Sequence, residues 1–204
     1  MRYTAIDSNL FVKNRKKLSA KLAPKSMAIF FANDEMPRSG DSTHPFRQNA
    51  DLFYLSGIDQ ERIVLIVFPD CPNPLYREAL FVRRTNEMIA IWETVLPALM
   101  AYCENVYVNI NENDRAAASV PYKDIRFANQ LKKQYPGHQL KRLGPIMQYL
   151  RSVKEPEEIA MHRKACEITR DAFIRVLKFV RPGIKEYEIE AEFTHEFIRQ
   201  GASG

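Results

Sequence analysis

Near its end the chain carries His195-Glu196-Phe197-Ile198-Arg199, the opening of a zinc-peptidase helix motif. That motif needs a second histidine one helical turn on, so that both imidazoles reach one metal while the glutamate acts on bound water. Position 199 is Arg, so the second ligand is missing and the motif is rejected. The other histidines, His44, His138 and His162, are far apart in sequence, and no GxSxG, GKS/GKT or DxD run is present. Cys71, Cys103 and Cys166 are odd in number, widely spaced and in no CxxC pair. This argues against a disulfide framework or a zinc site and for a reducing compartment. No catalytic residue and no metal ligand is therefore assigned.

The most distinctive stretch runs from Asp41 to Ile58, DSTHPFRQNADLFYLSGI. It mixes aromatics that can be buried with His44, Arg47, Gln48, Asn49 and Asp51. A guanidinium makes bidentate bonds to carboxylates, so Arg47 can pin this loop through Asp41 or Asp51. Two readings follow. One is a structural polar network of Asp41, His44, Arg47 and Asp51 under an aromatic lid. The other is a ligand pocket using His44 and Arg47. The residues alone favour the network.

The elements that must hold this stretch follow from periodicity. Asp7, Ser8 and Asn9 offer N-caps, and Leu10, Phe11, Leu18 and Leu22 share a face of a helix that Pro24 ends. Ser26 to Ala32 is a short apolar run and reads as a buried strand, followed by a loop over residues 33–45. Ile63 to Phe68 is apolar in both directions, so its sheet is covered on both faces. Further strands are expected over residues 79–82 and 106–110, with helices near 94–103 and 122–134. The alternation predicts an α/β domain with a mixed central sheet flanked by helices.

Beyond Leu143 the pattern turns wholly helical. A connector helix over residues 143–151 precedes Pro156, placed at a helix N1 position with Glu155, Glu157 and Glu158 around it. Ile159, Cys166, Phe173, Val176, Leu177 and Val180 follow a helical period until Arg181-Pro182-Gly183, and a second helix opens at Glu186. These helices have little to pack on, so the sequence is expected to be the front of a longer protein.

The formal charge is +5. Its densest cluster, Lys13 to Lys25, reads as the solvated face of a helix, and no aromatic platform supports nucleic-acid binding. No apolar run approaches the ~18 residues that a membrane span needs, and the start has no apolar signal region. A cytoplasmic protein is expected.

Three blocks now carry a resemblance. Asp41 to Gly57 is similar to the N-terminal-domain signature of the Xaa-Pro aminopeptidases, in which an Asp precedes a Pro-Phe-Arg-Gln run that leads into an aromatic Phe-Tyr-Leu-Ser-Gly segment. Glu87 to Trp92 resembles the family's acidic-to-Trp segment. Leu150 to Ile159, with Ala165, Ile168-Thr169, Arg181-Pro182-Gly183 and Glu186-Tyr187-Glu188, resembles its interdomain linker and first catalytic helices. The order and spacing of the three make the likeness specific. Two departures stand out: Glu93-Thr94 follow Trp92 where the family usually has Gly, and Glu155 replaces a Ser before Pro156.

The resemblance implies a creatinase-like N-terminal domain over residues 1–145, then over 146–204 the linker and truncated helical start of a pita-bread (α+β) catalytic domain. It implies two metal ions, usually Mn(2+), held by two Asp, one His and two Glu that all lie beyond the positions matching Gly201-Ala202. The 204-residue chain is accordingly predicted inactive alone, and no metal is expected on it. The implied whole enzyme releases the first residue of Xaa-Pro peptides. In the family the N-terminal domain builds a homo-oligomer and lends an aromatic to a neighbour's substrate cleft; Trp92 is the matching residue. Two alternatives stay open, a Xaa-Pro dipeptidase and a non-catalytic, peptide-binding relative.

Overall fold

The computed structural model describes residues 6–82, 88–110 and 121–202, with backbone alone over 88–93. Two compact units are present: Phe11–Val153, and Lys154–Gly204 together with Met1–Leu10.

The larger unit is built on β1 (Ser26–Phe31), buried along its whole length. β1 pairs antiparallel with β4 (Val64–Val67), and β4 pairs antiparallel with β5 (Glu78–Phe81). On its other edge β1 runs parallel to β6 (Asn105–Val108), which runs parallel to β7 (Gln139–Arg142). The five-stranded order is β5-β4-β1-β6-β7, a mixed sheet as the sequence predicts. A separate short ribbon, β2 (Pro37–Ser39) and β3 (Ser42–Thr43), lies in the stretch expected to be loop.

Alternation along β1 feeds two cores. Met27, Ile29 and Phe31 point to one face, where Leu96, Leu99 and Met100 of α3 (Met88–Met100) and Phe127, Ala128 and Leu131 of α4 (Lys123–Gln134) cover them. Ala28 and Phe30 point to the other face. There Leu18 of α1 (Ser8–Ser19), Leu52, Tyr54 and Leu55 of α2 (Ala50–Ser56), and Met147 and Leu150 of α5 (Gly144–Ser152) complete the layer. A strand that is apolar on both faces is stable only between two helical layers.

α2 is closed at both ends. Asn49 caps its start, and Gly57 ends it in the left-handed region at φ 69°, its N–H donating to the Phe53 carbonyl. A side chain there would collide with the Phe11 ring, 2.3 Å from the position of a Cβ. Glycine is therefore required on both conformational and steric grounds.

In the smaller unit α6 (Pro156–Phe179) and α7 (Glu186–Arg199) form a helical hairpin. Each start is satisfied by a glutamate reaching back: the Glu155 N–H donates to Glu158 Oε2 at 2.9 Å, and the Lys185 N–H to Glu188 Oε2 at 2.8 Å. This offsets the loss of a small capping side chain at position 155. Arg175 bridges the helices to Glu192 and to the buried Glu196, and the Phe173 and Phe193 rings meet edge to face at 5.0 Å. The Arg199 hydrogen bond, with help from Gln200, holds the Glu196 carboxyl below its ordinary range against the effect of burial. Phe173, Leu177, Val180 and Ile198 remain exposed on the hairpin. No helix of the described residues is long and apolar enough to cross a membrane.

A cleft at the carboxyl ends of β1 and β6

Open sheets place ligand sites beyond the carboxyl ends of parallel strands, where the chain order reverses. Here β1 is the point of reversal. The chain leaves it for β4 on one side and later returns to β6 on the other. A cleft of about 380 Å³ opens at that end. Its floor comes from Asn33 and Asp34 after β1 and Asn109 after β6, and its walls from the segment before α2 and the first turn of α4.

Three asparagines tie the floor to α2. Asn49 Oδ1 accepts the N–H groups of Asp51 at 3.0 Å and Leu52 at 3.2 Å, which fixes the helix start. The same oxygen accepts Asn109 Nδ2 at 3.3 Å, and Asn33 Nδ2 donates to the Arg47 carbonyl at 3.0 Å. Gln48 bonds the carbonyls of Ile58 and Gln60 at 3.1 and 2.8 Å, closing the far side of the α2 segment. One helix cap thereby sets the position of the segment carrying His44, Phe46 and Arg47 along the cleft.

The opposite wall is charged. Asp34 receives both terminal nitrogens of Arg126, at 2.7 and 3.2 Å, and the main-chain N–H of Lys123 at 2.9 Å, so it also caps α4. Burial pushes its carboxyl up, but the Arg126 and Lys123 contacts outweigh that and hold it below the ordinary carboxylate value. Asp124 differs. It is 4% exposed, its Oδ1 has no hydrogen-bond partner, and burial pushes its carboxyl up to about 7 despite its own main-chain N–H and the nearby Lys123. The Lys123 ammonium lies 5.1 Å from the centroid of the Phe31 ring, and burial lowers its pKa.

The residues singled out in the sequence do not gather at one place. His44 and Arg47 line the cleft. Asp41 is exposed in the turn between β2 and β3. Asp51, in the first turn of α2, pairs with Arg151 of α5 at 2.7 Å. Trp92 lies in α3, but its side chain falls outside the described residues. Asn33, Asp34, Asn109, Lys123 and Asp124 were not foreseen. Their signal was position: Asn33-Asp34 and Asn109 directly follow the two apolar parallel strands. Among the described residues no three His, Cys, Asp or Glu side chains converge to hold a metal ion, so no step through a metal is derived for them.

Comparison with known proteins gives a consistent answer. Residues 11–115 match the family model for the aminopeptidase P N-terminal domain, and residues 160–204 match Metallopeptidase family M24. The chain is similar to the Xaa-Pro aminopeptidase of Escherichia coli, 32% identical over 94% of this chain and 49% of that protein. A Xaa-Pro aminopeptidase of Haemophilus influenzae is 24% identical over 94% and 48%. Among solved structures, aminopeptidase P from E. coli with the inhibitor Pro-Leu aligns with a TM-score of 0.77 at 26% identity, over 97% of this chain and 51% of that one. The chain thus spans about half the length of the curated relatives it matches.

Proposed function

The chain belongs to the aminopeptidase P family, and from that premise we propose that it forms the N-terminal portion of a metal-dependent peptidase that releases the first residue from Xaa-Pro peptides. The observation that carries the proposal is the order of the two family matches: an N-terminal domain and then the start of a metallopeptidase domain, in one chain. Proline makes such a specialist necessary. Its amide nitrogen carries no hydrogen and its ring fixes φ, so the Xaa-Pro bond lacks the donor that other peptides offer.

The Metallopeptidase family M24 match implies a metal cofactor, and the family resemblance makes manganese the proposed ion. When bound, such ions lower the pKa of bound water and polarise the scissile carbonyl. The proposed domain division is 1–145 and 146–204. The first part serves assembly into a homo-oligomer and shaping of the substrate cleft, within a cytoplasmic enzyme.

Trp92, in α3, is proposed to line a neighbouring subunit's substrate cleft. Trp92→Ala in the whole protein tests this. A raised KM on Xaa-Pro peptides supports it, and unchanged kinetics remove Trp92 from the site. Polar residues Asp41, His44, Arg47 and Asp51 are proposed to order the segment around α2, a role supported by the Asp51–Arg151 pair.

A further inference from the structure

The cleft sets a cation and an acid side by side without pairing them with each other. Asp124 is almost wholly buried, yet its Oδ1 makes no hydrogen bond. Its neighbour Lys123 directs its ammonium over the Phe31 ring, a cation–π contact. The other acids nearby are already engaged, Asp34 with Arg126 and Asp51 with Arg151. A buried carboxylate oxygen without a hydrogen bond is costly, and in a cleft it marks a place where a bound donor would be stabilising.

The volume of about 380 Å³ falls in the range of small-molecule sites. What fits is a molecule with a cationic N–H group for Asp124 and an anionic group for Lys123. We propose that this cleft binds a free α-amino acid as its zwitterion, the ammonium on Asp124 and the carboxylate on Lys123. Asn49 and Asn109, locked to each other at 3.3 Å, hold the floor rigid beneath it. A net cation would meet Lys123 and a net anion would meet Asp124, so each half of the pair rejects the ligand that satisfies only the other. The inference deepens the proposed function in one respect: a free amino acid is the product of that reaction, so this domain would sense it. Binding is read on this chain without any peptidase activity, so the two can fail separately.

The test is a titration of the 204-residue chain with L-leucine, followed by nitrogen-15 NMR. Leucinamide, which lacks the carboxylate, and N-acetyl-leucine, which lacks the ammonium, serve as paired probes. Saturable shifts at Asn49, Asn109 and Lys123 are expected with L-leucine. Both probes, and the Asp124→Asn variant, are expected to bind at least about tenfold more weakly, the loss of one charged hydrogen bond. Asp124→Asn keeps the shape of the side chain; should it unfold, Lys123→Met and the two probes still decide. The proposal is overturned if L-leucine gives no saturable shift in the cleft. It is equally overturned if N-acetyl-leucine binds as tightly as L-leucine, or if the variants leave affinity unchanged.

Discussion

Replacing Asn49 with Ala removes three hydrogen bonds at one atom. Oδ1 caps α2 through Asp51 and Leu52 and also receives Asn109 Nδ2. Loss of an N-cap costs about 1 kcal/mol. Asn109 is 7% exposed, so leaving its amide unbonded adds about 1–3 kcal/mol. The expected total is about 2–4 kcal/mol. At a urea slope of about 2 kcal/mol/M, the midpoint falls by roughly 1–2 M. Circular dichroism across the urea titration reads the midpoint. Asn49→Ser keeps a capping oxygen but is too short for Asn109, and should lose about half as much. The Asn49→Ala/Asn109→Ala pair should be less than additive by about 1 kcal/mol. A single-variant loss below about 0.5 kcal/mol, or strict additivity of the pair, refutes the claim that one asparagine joins α2 to the end of β6.

Asp124→Asn should stabilise the chain at pH 8 and do little near pH 4. The folded carboxyl is raised from 3.8 to about 7, so its penalty is absent below the unfolded value and grows as pH rises through that window. At about 1.4 kcal/mol per pH unit the gain is at most about 4 kcal/mol, read as a urea midpoint difference between the two pH values. Lys123 draws the Asp124 carboxyl down while Asp34 and Asp51 push it up, each by less than burial does. Gly57→Ala should cost about 2–4 kcal/mol, because it forces a left-handed alanine and a methyl into the Phe11 ring. Part of that loss should return in Phe11→Leu/Gly57→Ala; no recovery in equilibrium unfolding would assign the cost to the backbone alone.

The long apolar and helical patterns carried over well from sequence to structure. The double-faced Ile63 to Phe68 run announced a covered sheet, and β4 lies inside it with helices on both sides. Pro156 and Gly183 bounded α6 as their backbone preferences require. Short polar elements did not show. α2 has seven residues, too few for a helical period to stand out. Yet Asn49 before an Ala-Asp-Leu run was a readable cap. β7 is an edge strand, QLKR, with no apolar alternation, and its pairing with β6 is a matter of tertiary register. α3 begins at Met88, earlier than expected, and runs through Pro97, so packing overrides a residue normally taken as a breaker. The cleft was hidden for a related reason. His44 and Arg47 were visible as chemistry, whereas Asp124 became distinctive only once folding buried it.

The most direct test of the proposed function is to assay the protein translated from the complete reading frame that encodes this chain, with manganese, on matched Xaa-Pro and Xaa-Ala peptides. Release of the free first residue from Xaa-Pro peptides alone, abolished by a chelator and restored by metal, is the predicted result. No metal-dependent release from any Xaa-Pro peptide by the folded protein would contradict it.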